Sequence, residues 1–220
     1  MKNKSDHFFW TSFTDLMTSL FFIMLVLYVL TYVRLNITVK KLKEKLEIIQ
    51  TVEENMKPLK KDTSLFTYED IYKRFKLSFE VKFKTNKFLI SSTELENYEN
   101  TIGNINKAGI KLKSTIDNLL IAKNNNPKLK NVSYILVIAG YASKIGNDEY
   151  HNYELSYKRA WELWNHWRND ENINFEDPKY KGLIDLQISG NGWGGIGRLT
   201  NEENNQRFLI QIFPKIGDIK

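Results

Sequence analysis

The chain has 220 residues, a net charge of +6 at neutral pH and no cysteine. That length allows one ordinary domain plus an extension, not two large lobes. The missing thiols exclude a disulfide framework, thiolate zinc sites and a cysteine nucleophile. The average composition, 42% hydrophobic and 26% charged, is that of a soluble globular protein, but the apolar residues gather near the N-terminus. The positive balance reads as Lys usage beside a membrane segment rather than as a nucleic-acid footprint, so no nucleic-acid partner is expected.

Residues 13–33, FTDLMTSLFFIMLVLYVLTYV, carry a single charge, Asp15. As a helix this stretch covers roughly 31 Å, the thickness of a hydrocarbon core. The apolar run continues through Thr31, Tyr32 and Val33 to Arg34 without a small-residue cleavage site, which favours a retained span over a removed signal peptide. Trp10, Tyr28 and Tyr32 fall near its two ends, where interfacial aromatics belong. Lys2 and Lys4 precede the span, while Arg34, Lys40, Lys41, Lys43 and Lys45 follow it. That count opposes a cytoplasmic N-terminus, but the rule is weak when a large domain is translocated, so charge alone does not orient the helix.

A carboxylate in lipid needs a protein partner, water or a proton. Thr11, Ser12, Thr18 and Ser19 lie at i−4, i−3, i+3 and i+4 from Asp15 and give it a polar helix face. This is the pattern of a helix packed against other helices along a hydrogen-bonded seam. A structural polar contact, or a side chain reaching water at the helix end, is the alternative.

Val39, Leu42, Leu46, Ile49, Val52, Met56 and Leu59 then recur at spacings of three and four, with Lys and Glu between them. Either two parallel copies touch along this seam, or one amphipathic helix packs on its own domain. Pro58 and the run from Lys60 to Ser64 predict its end. The expected organisation is a tail and transmembrane helix over 1–35, a helical dimerisation connector over 36–64, and a domain over 65–220.

In that domain the alternation of Phe79, Val81 and Phe83 predicts a first strand. A helix follows over Thr93–Lys123, opened by a Thr93/Glu96 capping box and broken at Asn124-Asn125-Asn126-Pro127. Val132–Ala139 reads as a central strand. Glu149–Arg168 reads as a helix with Ala160, Leu163, Trp164 and Trp167 on its core face. Leu183–Ile188 and Phe208–Phe213 read as two more strands. The fold class is α+β, in the order β-α-β-α-β-β, with the helices on one face of a sheet. Trp161, Trp164 and Trp167 read as core rather than as a sugar-stacking platform. The loop Gly190–Gly197 lacks Gly-Lys-Ser/Thr, so it reads as a loop packing Trp193 and not as a phosphate cradle. His7, His151 and His166 lack ligand spacing, and no metal site is expected. No Ser-His-Asp or paired-carboxylate arrangement can be assigned, which points to a binding protein rather than an enzyme.

From Gly140 to Leu163, GYASKIGNDEYHNYELSYKRAWEL resembles the core of OmpA-like peptidoglycan-binding domains. Asn152, Leu155, Ser156, Arg159 and Ala160 match that family's Asn-x-x-Leu-Ser-x-x-Arg-Ala in register. Gly197-Arg198, then Asn205-x-Arg207 and a terminal strand, resemble its closing signature. The resemblance covers roughly Phe79 to Lys215. It implies a periplasmic domain that binds peptidoglycan through Tyr141, Ser143, His151, Asn152, Leu155, Arg159 and Arg207. The residue types suit that chemistry, since an Arg and an amide on one helix face, beside a turn rich in backbone N–H groups, accept a carboxylate. Ser143 stands where the family has an Asp that grips a ligand ammonium. That departure leaves the ammonium to Asp148 or another acid, or leaves binding weak.

Trp10-Thr11-Ser12-Phe13-Thr14-Asp15-Leu16-Met17-Thr18 resembles the entry to the single span of MotB-type stator subunits. It implies that Asp15 carries the transported ion, H⁺ or possibly Na⁺, along the Thr11/Ser12/Thr18/Ser19 face. It also implies a homodimer whose two spans sit inside a MotA-like pentamer, in the bacterial inner membrane with the N-terminus cytoplasmic. The short N-terminal tail and heptad-like connector are more similar to ZorB-type subunits of Zorya anti-phage defence systems, with a ZorA-like partner, than to flagellar MotB. A flagellar-type stator subunit and a passive OmpA-like tether are the alternatives.

Overall fold

The structure, a computed structural model, describes residues 4–61, 63–144, 148–194 and 197–217; side chains are described from Trp10 onward, except those of Thr11, Ser12 and Glu203. One helix, α1 (Lys4–Lys61), runs through both the apolar span and the expected connector. The chain divides into two compact units between Ile49 and Gln50, inside the expected connector rather than at either of its ends.

In the N-terminal unit the apolar side chains from Leu16 to Val39 are exposed, and the helix from Phe13 is long and apolar enough to cross a membrane. Three of its described hydroxyls bond within the helix. Thr14 donates to Trp10 O (2.8 Å), Thr18 to Thr14 O (2.7 Å) and Ser19 to Asp15 O (2.9 Å). Such bonds remove most of the cost of placing Ser and Thr in lipid.

The expected seam divides. Val39, Leu42, Leu46 and Ile49 are exposed, whereas Val52, Met56 and Leu59 are buried. The last three therefore belong to the core of the C-terminal unit, and only the first four are free to face a second copy. Pro58 sits in the final turn, and the helix stops at Lys61. Proline has no N–H of its own, so the bond from residue 58 to the carbonyl of residue 54 is missing and the last turn is weakened.

The C-terminal unit holds β1 (Phe66–Glu69), β2 (Arg74–Leu77), α2 (Tyr98–Asn125), β3 (Val132–Gly140), α3 (Glu149–Asn169), β4 (Ile184–Gly190) and β5 (Phe208–Ile216). The sheet order is β1-β2-β5-β3-β4. β3 and β4 are parallel, joined through α3 as parallel neighbours require, and every other pair is antiparallel. The α+β class stands, but its strand order becomes β-β-α-β-α-β-β. The strand expected at Phe79–Phe83 is corrected. Val81 and Phe83 are buried, so their alternation reports burial, yet Phe83 makes only an isolated bridge to Leu95. The first strands are instead a four-residue hairpin turned through Lys73, whose φ is +51°. The expected capping box at Thr93 and Glu96 is also absent. α2 begins at Tyr98 after Asn97, which has φ 50° and makes no side-chain cap.

The two long helices are tied side by side. Trp167 is fully buried, its Nε1 donates to Ile105 O (3.0 Å), and its indole fills the space beside Gly109. Trp164 is buried as well, but Trp161 is 42% exposed, which corrects its assignment to the core. Charge ties α2 to the short turn Pro178–Tyr180. Asp117 on α2 accepts from Lys113 (2.7 Å), Lys179 (2.9 Å) and the Tyr180 hydroxyl (2.6 Å). Partial burial alone would raise this carboxyl, but the three donors outweigh it and hold it at about 2. A depressed carboxyl stabilises the fold above its ordinary value of 3.8 and loses that contribution as pH falls toward 2. Asp117→Asn is therefore expected to flatten the unfolding profile between pH 4 and 2, read by circular dichroism, relative to the unsubstituted chain.

α3 approaches the sheet where two glycines face each other, Gly140 and Gly190 in register across β3 and β4. A Cβ at Gly140 would lie 2.1 Å from Ser156 O, and one at Gly190 would lie 2.5 Å from Tyr157 N. Both obstacles are backbone, so they cannot rotate away. Gly140→Ala is expected to cost about 3 kcal/mol in denaturant unfolding, by forcing α3 off the sheet.

Candidate functional site

The register brings four chain ends to one edge of the sheet. Gly140 closes β3, Gly190 closes β4, Phe208 opens β5, and Leu77 closes β2. The loops extend the pairing outward. Tyr141 N donates to Arg207 O (3.0 Å), Asn191 N to Gly140 O (3.0 Å) and Ala142 N to Gly192 O (2.9 Å). α3 starts at this edge, capped by Asp148, whose Oδ1 accepts from His151 N (2.9 Å). The cap occupies the acid that the sequence offered as a substitute partner for a ligand ammonium. Residues 145–147 of this turn lie outside the described residues.

The residues expected to bind a wall peptide gather here, mostly inside the protein. Tyr141, Ser143, Asn152, Leu155 and Arg159 are buried, while His151 and Arg207 are half-buried. Asn152 Nδ2 donates to Asp148 O (2.8 Å). Ser143 Oγ accepts from Gln206 Nε2 at 3.4 Å. Arg159 is only 2% exposed. Its Nε donates to Lys87 O (3.1 Å) and its Nη1 to Tyr141 O (3.4 Å), and its guanidinium lies 4.5 Å over the Phe83 ring. Among the described residues no acidic side chain pairs with it, and burial pushes it down to about 10. A desolvated guanidinium resting on carbonyls alone favours an incoming carboxylate, because charge-assisted bonds are roughly twice as strong as those to neutral acceptors.

A short loop covers this face. Asn86 Oδ1 meets His151 Nε2 (3.2 Å), Lys87 O receives Arg159, and Lys158 Nζ lies 5.2 Å over Phe88. The loop is held by Glu94, whose carboxylate accepts from Phe88 N (3.0 Å) and Leu89 N (2.8 Å). Burial would raise Glu94, but those two N–H bonds and Lys87 outweigh it and lower it.

A second group of arginines lies beside this site, and of these the sequence reading missed Arg74. Arg74 is buried, its Nε donates to Glu69 Oε2 (2.7 Å), and its Nη1 to the Tyr141 hydroxyl (3.3 Å). Glu69 and Arg74 are cross-strand partners in the β1–β2 hairpin, so recognising that hairpin would have revealed the pair. Arg198 pairs with Glu202 and donates to Ala142 O (3.3 Å). Arg207 Nη2 donates to Gly197 O (2.5 Å), and its guanidinium lies 5.3 Å from the Tyr141 ring centre.

At the other site, Asp15 is exposed on α1, as are Thr18 and Ser19. Thr18 and Ser19 spend their hydroxyl protons on helix carbonyls. The side chains of Thr11 and Ser12 lie outside the described residues. Among the described residues no group of His, Asp and Glu side chains could hold a metal ion.

No protein-family model matches the chain, and no curated protein matches it. Among solved structures, the chain is similar to the OmpA-like domain of FopA1 from Francisella tularensis, with a TM-score of 0.36 and 18% identity over 69% of this chain and 79% of that one. It is similar to a MotB-like protein from Desulfovibrio vulgaris, with a TM-score of 0.40 and 9% identity over 79% of this chain and 96% of that one. A third similarity is to the cell wall anchor of the type VI secretion system from Pseudomonas aeruginosa, with a TM-score of 0.33 and 12% identity over 75% and 96%.

Proposed function

We propose that this chain is the wall-anchored, ion-carrying B-type subunit of a rotary membrane motor, of the kind that ZorB-type subunits supply to anti-phage defence. The observation that carries the reading is the union, on one chain, of two features. One is an exposed apolar helix with a lone carboxylate, Asp15; the other is a sheet domain with a buried, acid-free arginine, Arg159, at its loop edge.

In this reading α1 spans the inner membrane, with the C-terminal unit in the periplasm. A second copy runs alongside it, and a ring of MotA-like or ZorA-like subunits surrounds the pair. Asp15 loads a proton or sodium ion, which removes its charge and weakens its attraction to polar groups of the ring. Release restores the charge, and the ring steps. One charge crossing 100 mV supplies roughly 2.3 kcal/mol, comparable to a partly desolvated polar contact. The exposed residues Val39, Leu42, Leu46 and Ile49 provide the seam between copies.

The C-terminal unit holds the pair still. Its Arg159 guanidinium takes a carboxylate of the peptidoglycan stem, once the Asn86–Phe88 loop gives up the Lys87 contact. Without this anchor, torque would turn the pair rather than the ring. Sedimentation of the full chain with purified sacculi tests the anchor. Co-sedimentation is expected, and a chain that stays in the supernatant overturns it.

A further inference from the structure

β4 is an edge strand, the last in the order β1-β2-β5-β3-β4. Tyr134 N donates to Leu183 O (2.6 Å) and Asn191 N to Gly140 O (3.0 Å), so the odd-numbered residues of this strand turn their backbone groups toward β3. Ile184, Leu186 and Ile188 turn theirs outward, and among the described residues nothing meets them. The strand has no proline and no lysine, and its register with β3 runs unbroken from Ile184 to Gly190, so it lacks the usual guards of an open edge. A row of unpaired backbone groups calls for an extended polypeptide rather than a saccharide or a lipid, because only another strand repeats donors and acceptors at that spacing.

An exposed aromatic flank borders this edge. The α3 backbone at Ser156 and Ala160 lies over Gly140 of β3, and at Tyr153 and Tyr157 over Gly190 of β4. Passing round the helix from the first pair to the second therefore leads to the outer strand. On that side Tyr153, Tyr157 and Trp161 are 39%, 43% and 42% exposed, and the Tyr157 and Trp161 rings lie 6.3 Å apart at 34°. Below them, Ile184, Leu186 and Ile188 are in register with the buried Tyr134, Leu136 and Ile138, yet stay half-buried because no strand lies beyond them. The edge thus lacks two things, a strand beside β4 and an apolar surface beside α3. The β4 and α3 of another copy supply both, as a two-fold contact requires.

We propose that β4 pairs antiparallel with β4 of a second copy, so that two five-stranded sheets join and the aromatic flanks of α3 cover each other across the two-fold axis. The inference rests on the reading of the chain as a pair and adds a contact between the C-terminal units. Centred on Leu186, the pairing sets Ile184 opposite Ile188 and Asp185 opposite Gln187. The amide then donates to the carboxylate, and no like charges meet. Two copies already joined along Val39, Leu42, Leu46 and Ile49 meet at high effective concentration, so a modest contact suffices.

The chain has no cysteine, so introduced thiols report the pairing without background. Asp185→Cys combined with Gln187→Cys, in the full chain in detergent micelles under mild oxidation, is expected to give a disulfide-linked dimer. Facing residues of this kind lie about 4.5 Å apart at Cα, within reach of a disulfide. Ile121→Cys, exposed on α2, is expected to give no dimer above chance collision. Adding Tyr157→Glu and Trp161→Glu to the cysteine pair is expected to lower the dimer yield about tenfold with the fold retained, since both rings are exposed. Leu42→Cys reads the α1 seam separately. A Leu42→Cys dimer without a dimer from the β4 cysteines overturns the proposal, leaves the edge to a strand of another protein, and spares the reading of the chain as a pair. A β4 dimer that the two glutamates leave at full yield also overturns it.

Discussion

Asp15→Asn, co-expressed with the partner subunits, is expected to abolish motor output in a phage-plaque or motility assay while leaving the protein in the membrane and on the wall. Asparagine keeps the shape and hydrogen-bonding reach of the side chain but cannot gain and lose a cation. The local helix does not depend on the charge. Thr14, Thr18 and Ser19 bond to backbone carbonyls, and Asp15 contributes its main-chain oxygen to Ser19. A substitution that spares folding and removes only the titration therefore isolates the ion step. Output at the unsubstituted level would reduce α1 to an anchor. Retained sacculus binding by the same variant would show that the two halves of the chain act separately.

Arg159→Ala is expected to abolish sacculus co-sedimentation and also to lower stability. The substitution removes bonds to Lys87 O and Tyr141 O and the stacking on Phe83, and it leaves the buried Tyr141 carbonyl without that donor. Charged hydrogen bonds are worth about 1.5–3 kcal/mol each, but relief from burying the guanidinium offsets part of that, so a net loss of about 2 kcal/mol is expected. Denaturant unfolding measures the stability term. Arg159→Lys separates the two effects: it keeps the charge and part of the packing, so it is expected to unfold later than the alanine variant yet still bind sacculi poorly, because ammonium lacks the planar fork. Full sacculus binding by a folded Arg159→Ala protein would remove the ligand role and leave Arg159 as a clasp between α3 and the Asn86–Phe88 loop.

The parts legible in the sequence are those where one periodicity governs a long element. β3, α3, β4 and β5 each occupy nearly the residues that their patterns predict, and α2 does so except for a start five residues late, because their apolar positions fill one core. The β1–β2 hairpin was not legible. Four-residue strands offer only two positions per face, and the stronger alternation at Phe79–Phe83 belongs to buried but unpaired backbone. The shared face of Asn152, Leu155 and Arg159 followed from helical spacing. The burial of Arg159 did not, because it depends on carbonyls from Lys87 and Tyr141, and a carbonyl carries no sequence signature. Trp161 shows the same limit from the other side. Its spacing from Trp164 and Trp167 places it near the core stripe, yet the folded chain leaves it exposed. Arg74 stayed hidden with its hairpin, although its cross-strand acid is opposite it in register.

Ion flux into vesicles carrying the co-purified complex tests the central claim most directly. Under an imposed membrane potential, the unsubstituted complex is expected to pass protons or sodium ions, and the complex with Asp15→Asn is expected to pass none above the empty-vesicle rate. Equal flux through both complexes would contradict the account, because the ion would then cross without the only carboxylate in the span.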